Sequence, residues 1–193
     1  MSPKKLVCGV GINDADYAVR PVTSVNGPRL DCPYYRTWKS MITRCYSKEY
    51  HKKFPTYIGC EVVEEWHRFM TFRGWMMQQN WNGKQLDKDI LFKGNKVYGP
   101  DTSVFVSREV NMFLLDSAKS RGVYPLGVYC SVPGKFVALI HEAGKGQYRI
   151  GTYSTSEEAH QAWKSAKHIL AAKLAEKQDD PRVAQALLTR YDY

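Results

Sequence analysis

Apolar residues recur at steps of three and four from position 33 to 46, where Tyr35, Trp38, Met41, Ile42 and Cys45 form one stripe. Arg36, Lys39 and Arg44 fall on the opposite side. That spacing predicts an amphipathic helix. A second, broader stripe of Trp66, Phe69, Met70, Phe72, Trp75 and Met76 predicts a helix over about 63–79, ended by the turn-prone Asn80-Trp81-Asn82-Gly83-Lys84. These aromatics read as core. From 85 to 111 the pattern shortens to apolar runs at 86–91 and 103–106, separated by Lys93-Gly94-Asn95 and Gly99-Pro100-Asp101. It predicts a hairpin-like ββ unit leading into a helix near 107–118. The first 32 residues are rich in Gly, Pro, Asn and Asp and predict an arm of loops with one short strand at 6–10.

Beyond a basic, turn-prone stretch at 119–122, three strands are predicted at 127–132, 135–141 and 147–153. Pro133-Gly134 and Ala143-Gly144-Lys145-Gly146 join them, so an antiparallel meander follows. Thr155 with Glu158 three places on forms a capping box that opens a long helix. Its apolar positions Ala159, Trp163, Ala166, Ile169, Leu170 and Leu174 are expected to cover one side of the sheet and leave the other free. Asp180-Pro181 begins a last short helix through 188. The fold class expected is α+β, with an N-terminal helical region, a ββα unit, and a three-stranded antiparallel sheet packed on one long helix. The expected divisions are an arm at 1–32, a first domain at 33–118, a linker at 119–122 and a second domain at 123–193.

Charge narrows the partner. The 193 residues carry 28 Lys and Arg against 19 Asp and Glu, a formal net charge of +9, with both halves basic. Such a surface attracts polyanions, nucleic acid first among them. No run approaches the roughly 18 apolar residues needed to span a bilayer, so a cytosolic protein without a membrane partner is expected. The five cysteines, Cys8, Cys32, Cys45, Cys60 and Cys130, include no CxxC pair and read as reduced thiols. A structural zinc on Cys32, Cys45, Cys60 and His51 is not expected, because the spacing matches no known finger.

Strand alternation brings candidate DNA contacts together. Tyr129 and Ser131 should share a face, as should Lys135, Val137, Leu139 and His141, and Gln147, Arg149 and Gly151. The expected contact set is Tyr129, Ser131, Lys135, His141, Gln147 and Arg149. Arginine can bond guanine O6 and N7 bidentately, glutamine can pair with adenine, and lysine can hold a phosphate. The rival reading has Tyr129, Tyr148 and Tyr153 packing and the sheet binding protein.

Leu126-Gly127-Val128-Tyr129, Gly134-Lys135-Phe136-Val137-Ala138, Ile150-Gly151-Thr152-Tyr153 and the run from Ser156 to Trp163 resemble the APETALA-two (ethylene-response-factor) DNA-binding domain over about 50 residues. That family reads duplex DNA with arginines and tryptophans on its sheet. Here Tyr129, Ser131, Pro133 and Leu139 stand in most of those places, so no sequence preference carries over.

The central run Gln85-Leu86-Asp87-Lys88-Asp89-Ile90, continued through Asn95 to Val106, resembles the HNH (ββα-metal) motif of phage homing endonucleases. The resemblance implies a site-specific DNA endonuclease, phage-encoded, using magnesium or another divalent metal. Such chemistry needs a carboxylate on the metal at the leaving phosphate and a base that activates water. Asp87 matches the metal ligand. The family's histidine base is replaced by Lys88, and its final asparagine aligns with Thr102, with Asn95 and Asn111 as nearby substitutes. Asp89 and His67 are further candidates for the base. The candidate catalytic set is therefore Asp87, Lys88, Asp89, Asn95 and Thr102. The alternative is a nuclease-inactive DNA-binding regulator or anti-defence protein, and a third reading is an RNA-binding module.

Overall fold

A computed structural model describes residues 6–21, 31–115 and 123–191. The chain forms two compact units, residues 1–105 and 106–193, each with its own buried cluster. The expected linker at 119–122 lies outside the described residues.

In the first unit, helix α1 runs Pro33–Tyr46, as the periodicity predicts, and α2 follows at Lys48–Lys53 behind a Ser47 cap. Trp38 is fully buried in α1, and its indole N–H donates to the Trp66 carbonyl at 2.7 Å. The single long helix expected over 63–79 is instead two pieces, a 3-10 turn at Glu64–His67 and α3 at Phe69–Met77. Arg68 between them is extended, because the N-terminal arm pairs there. The Ile12 N–H donates to the His67 carbonyl and the Phe69 N–H to the Ile12 carbonyl, at 2.8 and 3.0 Å. The Asp14 carboxylate then caps α3 by accepting from the Met70 N–H at 2.9 Å. Helix α3 has no cap of its own, so the arm supplies one from 56 residues away. The strand expected at 6–10 is a tight turn closed by a Val7–Gly11 bridge, with Cys8 and Gly9 both at positive φ.

The two apolar runs expected to form a ββ unit do pair, as β2 (Gln85–Asp87) and β4 (Val104–Val106). Not expected was a further short strand in the connection between them, β3 (Val97–Tyr98), which pairs in parallel with β1 (Glu61–Val62).

The second unit begins with α4 (Arg108–Phe113), capped by Ser107. Strands β5 (Val128–Val132), β6 (Lys135–Glu142) and β7 (Gly146–Tyr153) form an antiparallel meander in the order β5-β6-β7. Helix α5 (Ser156–Ala175) opens on the expected capping box and lies on one face of this sheet. Val128, Ala138 and Ile140 pack there against Ala159, Trp163 and Leu170. Ile169, expected on that face, is 57% exposed and belongs to the opposite side of the helix. Helix α6 (Pro181–Thr189) packs on α5, burying Val183 and Leu187. Among the described residues no helix is long and apolar enough to cross a membrane.

Candidate nucleic-acid interface

Cross-strand register decides which side chains share the sheet face turned away from α5. Tyr129 pairs with Val137 and Val137 with Thr152; Leu139 pairs with Arg149, and His141 with Gln147. These residues alternate with the helix-facing Val128, Ala138 and Ile140, so they occupy the opposite face. Tyr129, Lys135, His141, Gln147 and Arg149 are exposed, while Val137 between them is buried. Two irregularities modify the expected alternation. The register shifts between Cys130 and Val132, which leaves Ser131 without a partner in the ladder, and the Ser131 hydroxyl turns to the Lys135 carbonyl at 3.2 Å. A second shift, opposite Ala138 and Leu139, leaves Ile150 unpaired and sets Gly151 across from Ala138. Gly151 therefore falls on the helix side rather than beside Gln147 and Arg149. The bulge is also what keeps Arg149 in line with Leu139.

Glu142 lies on the helix-facing alternation, holding Lys145 at 2.9 Å and accepting from the Tyr148 hydroxyl at 3.0 Å. Those two donors lower the Glu142 carboxyl below its ordinary range. The face thus presents one guanidinium, one ammonium, an imidazole, an amide and a phenol, a donor-rich set over a row of aliphatic side chains.

The central segment is a tightly bonded loop. Asp87 Oδ1 accepts from the backbone N–H groups of Asp89 and Ile90 at 2.9 and 2.8 Å. Burial raises the Asp87 carboxyl, and the neighbouring Asp89 carboxylate raises it further. Lys88 is buried, its ammonium donating to the Asn95 carbonyl at 2.9 Å, 3.5 Å from Asp89 and 5.9 Å from the Tyr98 ring centre. The Asn95 amide donates to the Lys88 and Val97 carbonyls at 2.6 and 2.8 Å, and its oxygen accepts from the Val97 N–H. The Thr102 hydroxyl donates to the Val97 carbonyl at 2.8 Å. Lys88, Asn95 and Thr102 therefore share one knot of backbone carbonyls, and Asp87 and Asp89 form a carboxylate pair beside it. His67 faces the Tyr46 hydroxyl at 3.2 Å.

Among the described residues no group of three or more His, Cys, Asp or Glu side chains converges as a metal site. Of the residues weighed for zinc, the His51 ring nitrogen meets the Arg44 carbonyl at 2.8 Å, and burial pushes the Cys45 thiol up to about 12.

Two features have no signal in the sequence because they arise only from tertiary packing. Arg44 is largely enclosed under Tyr57 and beside the Tyr98 hydroxyl, with its Nε buried and without a hydrogen-bond partner. Lys167 is buried in the second unit, where its ammonium donates to the Phe113 carbonyl at 2.7 Å and lies 3.7 Å from the centre of the Phe113 ring.

Comparison with protein-family models, with curated proteins and with solved structures finds no match to this chain.

Proposed function

We propose that this chain binds double-stranded DNA through the open face of its three-stranded sheet, with Tyr129, Lys135, His141, Gln147 and Arg149 as the contacting side chains. The observation that carries the reading is the cross-strand alignment of Leu139 with Arg149 and of His141 with Gln147 on the face opposite α5. A sheet can enter the major groove, where guanidinium and amide groups discriminate base edges and ammonium groups hold phosphates. The formal charge of +9 favours a polyanionic partner over a protein surface.

Whether the chain also cuts DNA turns on the central segment. The carboxylates of Asp87 and Asp89 suit a divalent cation such as magnesium, which would relieve their repulsion. The group at the water-activating position does not suit that task. Lys88 has its ammonium on the Asn95 carbonyl and beside Asp89, and Asn95 and Thr102 are spent on backbone carbonyls of the same loop. These bonds favour a protein that binds without cleaving. The carboxylate pair keeps the metal-dependent endonuclease as the second reading.

One experiment addresses both. The full chain is incubated with supercoiled plasmid and magnesium beside its Asp87→Ala variant, and duplex binding is measured in parallel with Arg149→Ala. Binding that weakens in Arg149→Ala, with no nicking by either of the other two proteins, is the expected result. Nicking abolished by Asp87→Ala would establish the endonuclease. Duplex affinity unchanged by Arg149→Ala would overturn the sheet reading.

A further inference from the structure

A cavity of about 940 Å³ opens in the second unit. Met112 and Phe113 of α4, Val128 of the sheet, and Trp163 and Leu170 of α5 give it an apolar wall, and the cavity extends past the sheet edge to Leu139 on the face turned away from α5. Its charged lining is mostly cationic. Arg108, Lys167, Lys173 and Lys177 face it with His141, against the carboxylates of Glu109 and Glu142, and the latter is already engaged by Lys145 and Tyr148. Sites for small organic ligands fall at roughly 300–1,000 Å³, mostly apolar with a few convergent polar groups.

Lys167 is the unusual member. Its side chain is buried, yet among the described residues only one of its three N–H donors has a partner, the Phe113 carbonyl. The rings of Phe113, Trp163 and Tyr191 surround the ammonium at 3.7, 5.8 and 5.9 Å from their centres. Among the described residues no carboxylate pairs with it. A buried ammonium without a counter-ion is costly, and aromatic faces offset only part of that cost. An anion delivered by a ligand would complete the site, and a compact ammonium is well suited to phosphate.

We propose that this cavity binds a single nucleotide unit, with its phosphate on Lys167 and its base against the apolar wall. Tyr129 and Gln147, named above as duplex contacts, also line the cavity where it reaches the sheet face turned away from α5, and offer hydrogen-bonding groups to base or sugar. The unit has two chemical sources, a free mononucleotide or a nucleotide extruded from a strand. Only the second rests on the duplex-binding reading.

The test uses the full chain. Calorimetric titration with adenosine 5′-monophosphate is compared with adenosine and with inorganic phosphate. Fluorescence of a duplex carrying 2-aminopurine is followed separately. Saturable monophosphate binding, weakened about tenfold in Lys167→Met and to a smaller degree in the surface variant Lys177→Glu, assigns the site to a free nucleotide. A rise in 2-aminopurine fluorescence that Lys167→Met abolishes assigns it to a nucleotide in a strand. The proposal is overturned if neither signal appears. It is equally overturned if the monophosphate binds no better than inorganic phosphate, or if both variants bind as the parent does. Arg149 does not line the cavity, so Arg149→Ala must retain monophosphate binding. Failure of duplex binding with monophosphate binding intact would therefore sink the sheet reading alone.

Discussion

At the scale of single residues, two polar side chains, Asn95 and Lys167, make contributions to stability that only the folded structure reveals. Asn95 satisfies three backbone groups of the loop between β2 and β3. Removing it takes this partner from the Lys88 carbonyl and the Val97 N–H, each worth about 1 kcal/mol net, while the Val97 carbonyl keeps the Thr102 hydroxyl. Asn95→Ala should thus cost about 2 kcal/mol in denaturant unfolding. A variant as stable as the parent would mean that the loop does not depend on this amide. Lys167 makes a pH-dependent contribution. Burial lowers its pKa from 10.5 to about 8 in the folded chain. Below pH 8 both folded and unfolded chains hold the proton, and the full cost of the buried charge is present. As pH rises above 8 the folded chain releases the proton before the unfolded one, so stability rises from this group. The gain, on the order of 2 kcal/mol, should be visible between pH 8 and the ordinary tyrosine range, and it should be missing in Lys167→Met. Parallel stability-against-pH curves for the two proteins would show that the ammonium is not desolvated.

At the scale of elements, what could be read from the sequence was what local chemistry controls. The bounds of α1, the capping box of α5, the Asp180-Pro181 start of α6 and the turn glycines of the meander are each decided within a few residues. Each appears where expected. What escaped is decided from far away. The apolar stripe over 63–79 is continuous, yet the helix breaks at Arg68 because Ile12, 56 residues upstream, takes its neighbours' backbone groups. Strand β3 lies in the connection between the two runs expected to pair, and only its distant parallel partner β1 makes it a strand. The bulge facing Ala138 and Leu139 likewise has no sequence mark, and it moves Gly151 across the sheet. Gly127 joins the local and distant cases. It sits at φ +80°, and a Cβ there would run into the Trp163 indole that anchors α5 to the sheet. Gly127→Ala therefore combines a strained left-handed backbone with a steric clash in the core. A loss of about 2 kcal/mol or more in unfolding free energy is expected, and a loss below about 0.5 kcal/mol would mean that the indole can move aside.

At the scale of the whole molecule, the open sheet face and the overall charge make separable predictions about DNA. Affinity from phosphate contacts falls with salt, by a log–log slope of about 0.9 per phosphate neutralised, whereas a contact to a base edge leaves that slope almost unchanged. Of the exposed cations on the face, Lys135 is at the start of β6 beside the turn, while Arg149 stands mid-strand opposite Leu139. A guanidinium in the middle of its strand would meet the groove floor, and an ammonium at the end of its strand, beside the turn, the backbone. Lys135→Ala should then lower the salt slope by about 1 and weaken all duplexes alike. Arg149→Ala should keep the slope and lose about 1–3 kcal/mol of discrimination between a preferred duplex and others. The preferred duplex can be obtained by selection from a random pool, and the slopes by fluorescence anisotropy across a salt series. Should Arg149→Ala reduce the slope and leave selectivity intact, the strand would be lying along the backbone rather than in the groove. The functional weight of the sheet would then shift from sequence reading to general DNA affinity.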